Sequence, residues 1–327
     1  MDNQSVLITG GGGFVGRALT RVFAGAGWRG AVSSRSADAG TVAALPGGWH
    51  RALRGDLLGG AEGWSPDVLV HLEVKQHVFH ATEADLAEFT SVNVDGTAAW
   101  LEWCALRGVK HFVFLSTIKA VEPVAPGPVD ETTPVRPGTT PYGRSKWEAE
   151  SRVRAWAAAD PERSALILRP AVVYGPGNEG NIAAMLEGIA RGRFCLVGPN
   201  ANRKALVSLP NLAAAVRFLT DAAVPGCETY FITDAEIRSV REIAETAAAL
   251  LGRRRVPTIP LAAGRCLARA GDIYGRLTGR TFPINSSRLQ ALLEETDFRC
   301  GKLLAAGFRH PQTFDEGMRE LIAARGD

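Results

Sequence analysis

Tyr142 and Lys146 stand four residues apart in the stretch Tyr-Gly-Arg-Ser-Lys. On a helix that spacing puts both side chains on one face. A free phenol ionises near pH ~10. A neighbouring ammonium stabilises the phenolate, so the pair is expected to give and take a proton nearer neutrality. Ser116-Thr117 end an apolar run. The Thr117 hydroxyl can hydrogen-bond a substrate oxygen and share its proton with Tyr142; the alternative for both residues is strand-end capping. A third stretch, Thr9-Gly-Gly-Gly-Gly-Phe-Val-Gly16, fits two spacings. Gly11, Gly13 and Gly16 form G-x-G-x-x-G, and Gly10, Gly13 and Gly16 form T-G-x-x-G-x-x-G. In either, the backbone turns sharply and approaches a pyrophosphate at a helix N-terminus.

These residues need elements to position them. Apolar runs predict strands over 6–9, 30–34, 68–72, 111–116 and 165–169. Amphipathic stretches between them predict helices over 14–26, 84–107 and 142–159. Short β-branched runs alternating with helical periods indicate βαβ units and a parallel sheet covered on both faces. The fold class is therefore α/β, a doubly wound parallel sheet with a smaller mixed α+β C-terminal part. The first domain spans 1–174, with later segments able to return to its core, and the second spans 175–327. In the second, helices are expected over 182–191, 212–221, 240–251 and 261–277, with a strand near 206–208. Residues 122–141 hold six prolines. Proline fixes φ and lacks a donor, so a long loop is expected there rather than an element.

Of the 327 residues, 46% are hydrophobic and 22% charged, which excludes a disordered or collagen-like chain. No apolar run reaches the ~18 residues of a membrane span. The first strand starts so near the N-terminus that no signal peptide is expected. Five scattered cysteines without a Cys-x-x-Cys pair argue against a disulfide framework and a zinc site, and for a reducing cytoplasm. His71 and His77 read as packing and loop residues rather than metal ligands. Net charge is +3. The basic run at 253–255 has no interleaved aromatics and reads as solvated surface, so no nucleic-acid partner is expected.

A dinucleotide site commonly places a carboxylate at the end of the second strand, on the ribose 2′-hydroxyl. Here the chain reads Ser33-Ser34-Arg35. Arg35 can pair a 2′-phosphate or stack on adenine, which favours NADP over NAD; otherwise it is a surface arginine beside Asp38. Asp56-Leu57 can donate and accept around the adenine edge, or Asp56 stabilises a turn.

Together these residues resemble the extended short-chain dehydrogenase/reductases, the NAD-dependent epimerase/dehydratase family, over essentially the whole chain. The resemblance implies a Rossmann fold and an NAD or NADP cofactor. Its cofactor turn matches Thr9–Gly16 (Gly10, Gly13, Phe14, Val15 and Gly16), and its adenine pair matches Asp56-Leu57. The catalytic Ser/Thr–Tyr–Lys triad matches Thr117, Tyr142 and Lys146, with Ser116, Tyr142 and Lys146 also against the cofactor. Asn93-Val94-Asp95-Gly96-Thr97 resembles the helix whose Asn organises a proton relay. The segment from Leu168 through Pro170 to Gly177 resembles the one under the nicotinamide. One departure stands out: the family usually has His-Leu-Ala-Ala after the fourth strand, and this chain has His71-Leu72-Glu73-Val74. Glu73 would be repelled by a pyrophosphate unless it turned toward a ribose hydroxyl or paired with a base such as Lys75.

Within the family the chain is most similar to bacterial sugar 4-epimerases and 4-keto-sugar reductases of surface-polysaccharide pathways. Asn181, Arg203 and Lys204 then lie in substrate-binding loops, with Arg203 or Lys204 on a diphosphate; otherwise the basic pair is an exposed loop. The expected substrate is a nucleotide- or lipid-diphosphate-linked sugar, with epimerisation at C4 ahead of NADPH-dependent 4-keto reduction. Competing readings are a non-catalytic NADP-sensing or scaffold protein and a reductase of steroid-like or flavonoid-like ketones. The resemblance also implies a homodimer that pairs helices 84–107 and 142–159.

Overall fold

The computed structural model describes residues 4–34, 45–60, 63–76, 83–178, 180–278 and 285–325. The chain divides into two compact units. The first begins with β1 (Ser5–Thr9), α1 (Phe14–Gly25), β2 (Arg29–Ser34), β3 (Trp49–Leu53), α2 (Arg54–Leu58) and β4 (Val68–His71). It continues through α3 (Glu83–Phe89), α4 (Gly96–Arg107), β5 (His111–Leu115), β6 (Val121–Pro123), β7 (Val135–Pro137), α5 (Pro141–Ala158) and β8 (Ser164–Pro170). The second unit takes β9 (Val172–Tyr174), α6 (Asn181–Ala190), β10 (Leu196–Val197), β11 (Arg203–Lys204) and β12 (Leu206–Ser208). The chain then returns to the first unit for α7 (Leu209–Asp221) and β13 (Gly226–Ile232). It supplies the second with β14 (Arg238–Ser239), α8 (Val240–Leu250), β15 (Thr258–Ile259), α9 (Leu261–Thr278) and α10 (Ser286–Leu293). Finally α11 (Gly301–Ala305) joins the first unit and α12 (Phe314–Ala323) the second.

The first unit is built on a seven-stranded sheet in the order β13-β8-β5-β4-β1-β2-β3. Every neighbouring pair is parallel. The order reverses between β1 and β4, and the carboxyl ends of the strands at such a switch point are where ligands bind in open α/β sheets. Leu7, Leu69, Phe112, Phe114 and Ile167 pack in one cluster with Trp100 of α4 and with Ala149 and Val153 of α5. The expected α/β class and parallel sheet are thus observed.

Some expectations need correction. β3 and β13 were not among the expected strands; Trp-His-Arg-Ala-Leu has no β-branched residue, and only its parallel pairing with β2 makes it a strand. The proline-rich stretch is not loop throughout. Val121 and Pro123 of β6 pair antiparallel with Pro137 and Val135 of β7. Proline tolerates a two-stranded ribbon because half its backbone groups face outward and need no donor. The single helix expected over 84–107 is interrupted by a π turn at Thr90–Asp95.

In the second unit Tyr174, Leu186, Leu206, Ile243, Phe314 and Met318 share a core. The Tyr174 hydroxyl donates to Asp234 Oδ2 at 2.9 Å.

Candidate active site

The glycine turn joins β1 to α1. Gly10 has φ +67°, and a Cβ there would stand 3.2 Å from the backbone of Leu72 and Glu73. A Cβ on Gly16 would meet Gly10 O at 2.6 Å. Gly13 caps α1 without a side chain, and the first turn, opening with Phe14 and Val15, has no acid. The start of α1 therefore presents backbone donors and a positive dipole end, and the Arg17 guanidinium reaches back to donate to Gly12 O at 2.7 Å, a cationic setting that fits a pyrophosphate. Both glycine spacings have a steric basis, since a Cβ on Gly11 would strike Val32 Cβ at 2.6 Å.

Beside this turn, Glu73 is not paired with Lys75 as its sequence neighbourhood suggested. Its Oε2 accepts from Arg54 Nε at 3.1 Å and from Trp100 Nε1 at 3.0 Å. Its Oε1 accepts from Ser33 Oγ at 3.4 Å. The carboxylate is thus turned inward and neutralised by Arg54. Lys75 pairs instead with Glu88 and Asp85. Asp56 is exposed in α2, whereas Leu57 is buried and its carbonyl accepts from Trp103 Nε1. The Leu72 amide donates to Thr9 Oγ1. Arg35, Asp38 and His77 lie outside the described residues.

The acid–base group gathers where β5 ends and α5 begins. Thr140 caps α5 by accepting from the Gly143 amide at 3.0 Å, with Pro141 following at the first helical position. This fixes Tyr142 in the first turn and Lys146 one turn on. Thr117 caps the short 3-10 turn Ile118–Ala120, and its side chain is hydrogen-bonded to the Tyr142 phenol. Burial pushes that phenol up to about 12, opposed in part by Thr117. Lys146 is buried, with Nζ 4.0 Å from the centre of the Phe114 ring. Burial brings its ammonium down to about 7, while the Glu150 charge raises it. In the chain alone the phenol thus stands above its ordinary range, and the same desolvation lowers the Lys146 ammonium.

The π turn places Asn93 beside this group, a common use of such local widening. Asn93 is buried; its Oδ1 accepts from the Lys75 amide at 2.8 Å and its Nδ2 donates to Ser145 Oγ at 2.9 Å. Ser145 in turn donates to Tyr142 O. His71 sits between Thr9 and Thr97. Thr97 donates to Asn93 O, so it accepts from His71 Nε2, leaving Nδ1 as the acceptor toward Thr9. Burial, Lys146 and Arg54 all hold this imidazole neutral, well below its usual range.

Sequence reasoning missed Glu150 as a site residue. Its side chain is fully buried and takes both arms of Arg169, at 2.9 and 2.6 Å. It also accepts from Ser116 Oγ at 2.6 Å and from Arg154 at 3.2 Å. Ser116 therefore directs its hydroxyl to Glu150, and its amide donates to Leu168 O, rather than either standing free for a cofactor. Glu150 lies four residues after Lys146 on the face of α5 that also buries Ala149 and Val153, and that spacing was the available signal. Pro170 is buried at the end of β8.

Asn181, Arg203 and Lys204 belong to the second unit. Asn181 is exposed at the start of α6. Arg203 donates to Ile237 O at 2.8 Å and lies 3.8 Å from Glu242. The Lys204 ammonium is 3.8 Å from Glu294. Both cations have carboxylate neighbours of their own.

The family model described as the NAD dependent epimerase/dehydratase family matches residues 6–231. The chain is 30% identical over 238 residues to the N-acetyl-alpha-D-glucosaminyl-diphospho-ditrans,octacis-undecaprenol 4-epimerase of Escherichia coli O157:H7, covering 72% of this chain and 71% of that one. It is 28% identical over 267 residues to a UDP-glucose 4-epimerase of Vibrio cholerae, covering 79% and 76%. In fold it is similar to the Thermus thermophilus UDP-glucose 4-epimerase solved with NAD, with TM-score 0.74, 23% identity and 99% of both chains covered. The seven-stranded parallel sheet with its glycine turn after β1 agrees with these matches, and the chain belongs to the NAD-dependent epimerase/dehydratase family.

Proposed function

We propose that the protein is an NAD(P)-dependent 4-epimerase of a sugar carried on a nucleotide or lipid diphosphate. The observation that carries this reading is the Thr117–Tyr142 hydrogen bond beside buried Lys146, at the carboxyl ends of the sheet that also presents the glycine turn. Relatives named 4-epimerases, two of them described above, support the position of reaction. A nicotinamide bound there supplies a hydride acceptor and donor. Gly10, Gly13 and Gly16 leave room for its pyrophosphate. Tyr142 takes the O4 proton as C4 is oxidised and returns it as C4 is reduced on the other face. Thr117 holds the phenol oxygen in line, and Lys146 would bind the cofactor ribose and, when protonated, would favour the phenolate. Asn93 fixes the backbone of the Lys75 turn against Ser145 of α5.

Substrate contacts to Asn181, Arg203 and Lys204 form part of the same proposal, as does Arg35 on a 2′-phosphate. So do a role in polysaccharide synthesis, a cytoplasmic location, supported by five free cysteines, and a homodimer that pairs residues 84–107 with 142–159, which sedimentation tests. The deciding experiment incubates purified protein with hexose and N-acetylhexosamine nucleotides and their polyprenyl-diphosphate counterparts, in deuterated water. The expected outcome is a mixture of C4 epimers without net change in nicotinamide absorbance and without deuterium at C4. NADPH consumption with a 4-keto sugar, and no epimer from any substrate, would overturn it in favour of a reductase.

A further inference from the structure

The 18-residue helix α9 buries only small residues: Gly264, Ala268 and Gly271. A Cβ on Gly264 would fall 2.2 Å from Val197 Cγ1, so the helix lies directly on β10 along that seam. At roughly 100° per residue, Leu267, Ile273, Tyr274 and Leu277 fall in one arc of about 120° away from the seam. Only Ala263, Cys266 and Ala270 share that arc, and no charge interrupts it. The four large residues are exposed to 45%, 57%, 41% and 81%. They make up four of the ten large hydrophobics exposed among the described residues, which marks the patch as a contact surface rather than scatter.

One border of the arc is basic. Arg265, Arg269 and Arg276 fall together on it, and among the described residues no ion pair joins any of them. The helix's own acid on that side, Asp272, is engaged by the Ser286 amide and hydroxyl at 3.1 and 2.5 Å, and Glu294, which lines the cavity beside Arg265 and Arg269, lies 3.8 Å from the Lys204 ammonium. The helix is not long and apolar enough to cross a membrane. We infer that α9 docks the protein on an anionic lipid surface. The apolar arc sits at the headgroup–acyl boundary, and the arginines reach lipid phosphates along their own apolar stems. Charge complementarity selects this occupant. A second copy of the chain would bring another arginine row to the seam, and the helix offers no acidic row to receive it, whereas anionic headgroups neutralise all three.

The inference does not depend on the reaction proposed above. It is read by flotation of the full-length protein with vesicles of phosphatidylcholine alone or with phosphatidylglycerol added. The protein should float with the anionic vesicles and much less with the neutral ones, and salt should release it. Replacing all three arginines, R265Q, R269Q and R276Q, should lower the apparent partition coefficient on the order of 100-fold, at about fivefold per charge. Ile273→Gln with Leu277→Gln should abolish binding while the thermal midpoint stays near that of the parent. Turnover of a water-soluble sugar nucleotide should be unchanged in both variants, so a failure of the C4 reading leaves the vesicle result standing. Absence of binding to anionic vesicles would overturn the inference. So would variants that float like the parent, or conversion of a dimer to a monomer by the Ile273/Leu277 pair, which would assign the face to a second copy.

Discussion

Two carboxylates of the first unit make similar arrangements at two places along the carboxyl edge of the sheet. Glu73 holds Arg54, Trp100 and the Ser33 hydroxyl near the end of β2. Glu150 holds Arg169, Arg154 and the Ser116 hydroxyl at the end of β5. The difference is water and neighbours. The Glu73–Arg54 pair keeps 12% and 34% side-chain exposure, whereas Glu150 and Arg169 keep 0% and 7%. The Glu150 charge also raises Lys146, the cation of the acid–base group, and Lys146 in turn helps hold His71 neutral. A fully dry ion pair stabilises little beyond its own desolvation, yet losing one partner strands the other. The comparison teaches that the half-wet Glu73–Arg54 pair is an adjustable brace, while the dry Glu150–Arg169 pair is one that the fold cannot lose.

The largest effect separating the two ends should come from Tyr142→Phe. It deletes the proton and keeps the ring, so turnover should fall about 10²–10⁴-fold. Dinucleotide affinity, measured by fluorescence titration, should stay within a few-fold. Near-normal turnover would remove Tyr142 from the mechanism and the chemical end from the comparison.

Next comes pH. The Lys146 ammonium is brought down to about 7 from 10.5. The unfolded chain therefore binds more protons than the folded one between those values, and stability should rise with pH across that window. Up to pH 10 the gain is on the order of 4 kcal/mol. Tyr142, pushed up to about 12, acts in the opposite sense above pH 10. Urea unfolding of the parent and of Lys146→Met measures the slope, which the variant should lack below pH 10. Equal slopes would show that Lys146 is solvated and that the two ends do not differ in dryness.

Glu150→Ala should cost about 3–5 kcal/mol by stranding Arg169. The milder Glu150→Gln removes the charge that raises Lys146, so the Lys146-dependent limb of the kcat profile should move to lower pH. An unmoved limb would leave Glu150 a purely structural brace. Smallest is Glu73→Gln, at about 1 kcal/mol, because Arg54 can turn to water. Dinucleotide Kd should rise a few-fold, with turnover at saturation unchanged. A loss equal to that of Glu150→Ala would collapse the distinction.

Local grammar made the sheet and much of the candidate site legible. A strand ending in Thr9-Gly10, a helix opening at Phe14 and a Tyr–Lys pair on one face are each statements about residues within a few positions. Their physics is backbone sterics and helical period. Pairings between distant segments were not legible. β3 is a strand because β2 offers it hydrogen bonds, and β13 because β8 does. The π turn at Thr90–Asp95 has no proline or glycine within it to announce it. Glu73 chose Arg54 over the nearer Lys75 because Lys75 found Glu88 and Asp85. Glu150 found Arg169 nineteen residues on.

The pKa values show the same division most clearly. By itself the sequence determined that a phenol and an ammonium share a helical face, because period is local. Only the tertiary structure decided that both are desolvated, so that the phenol rises and the ammonium falls. The cost of dehydrating a charge depends on every element packed around it, and no spacing of residues along the chain encodes that.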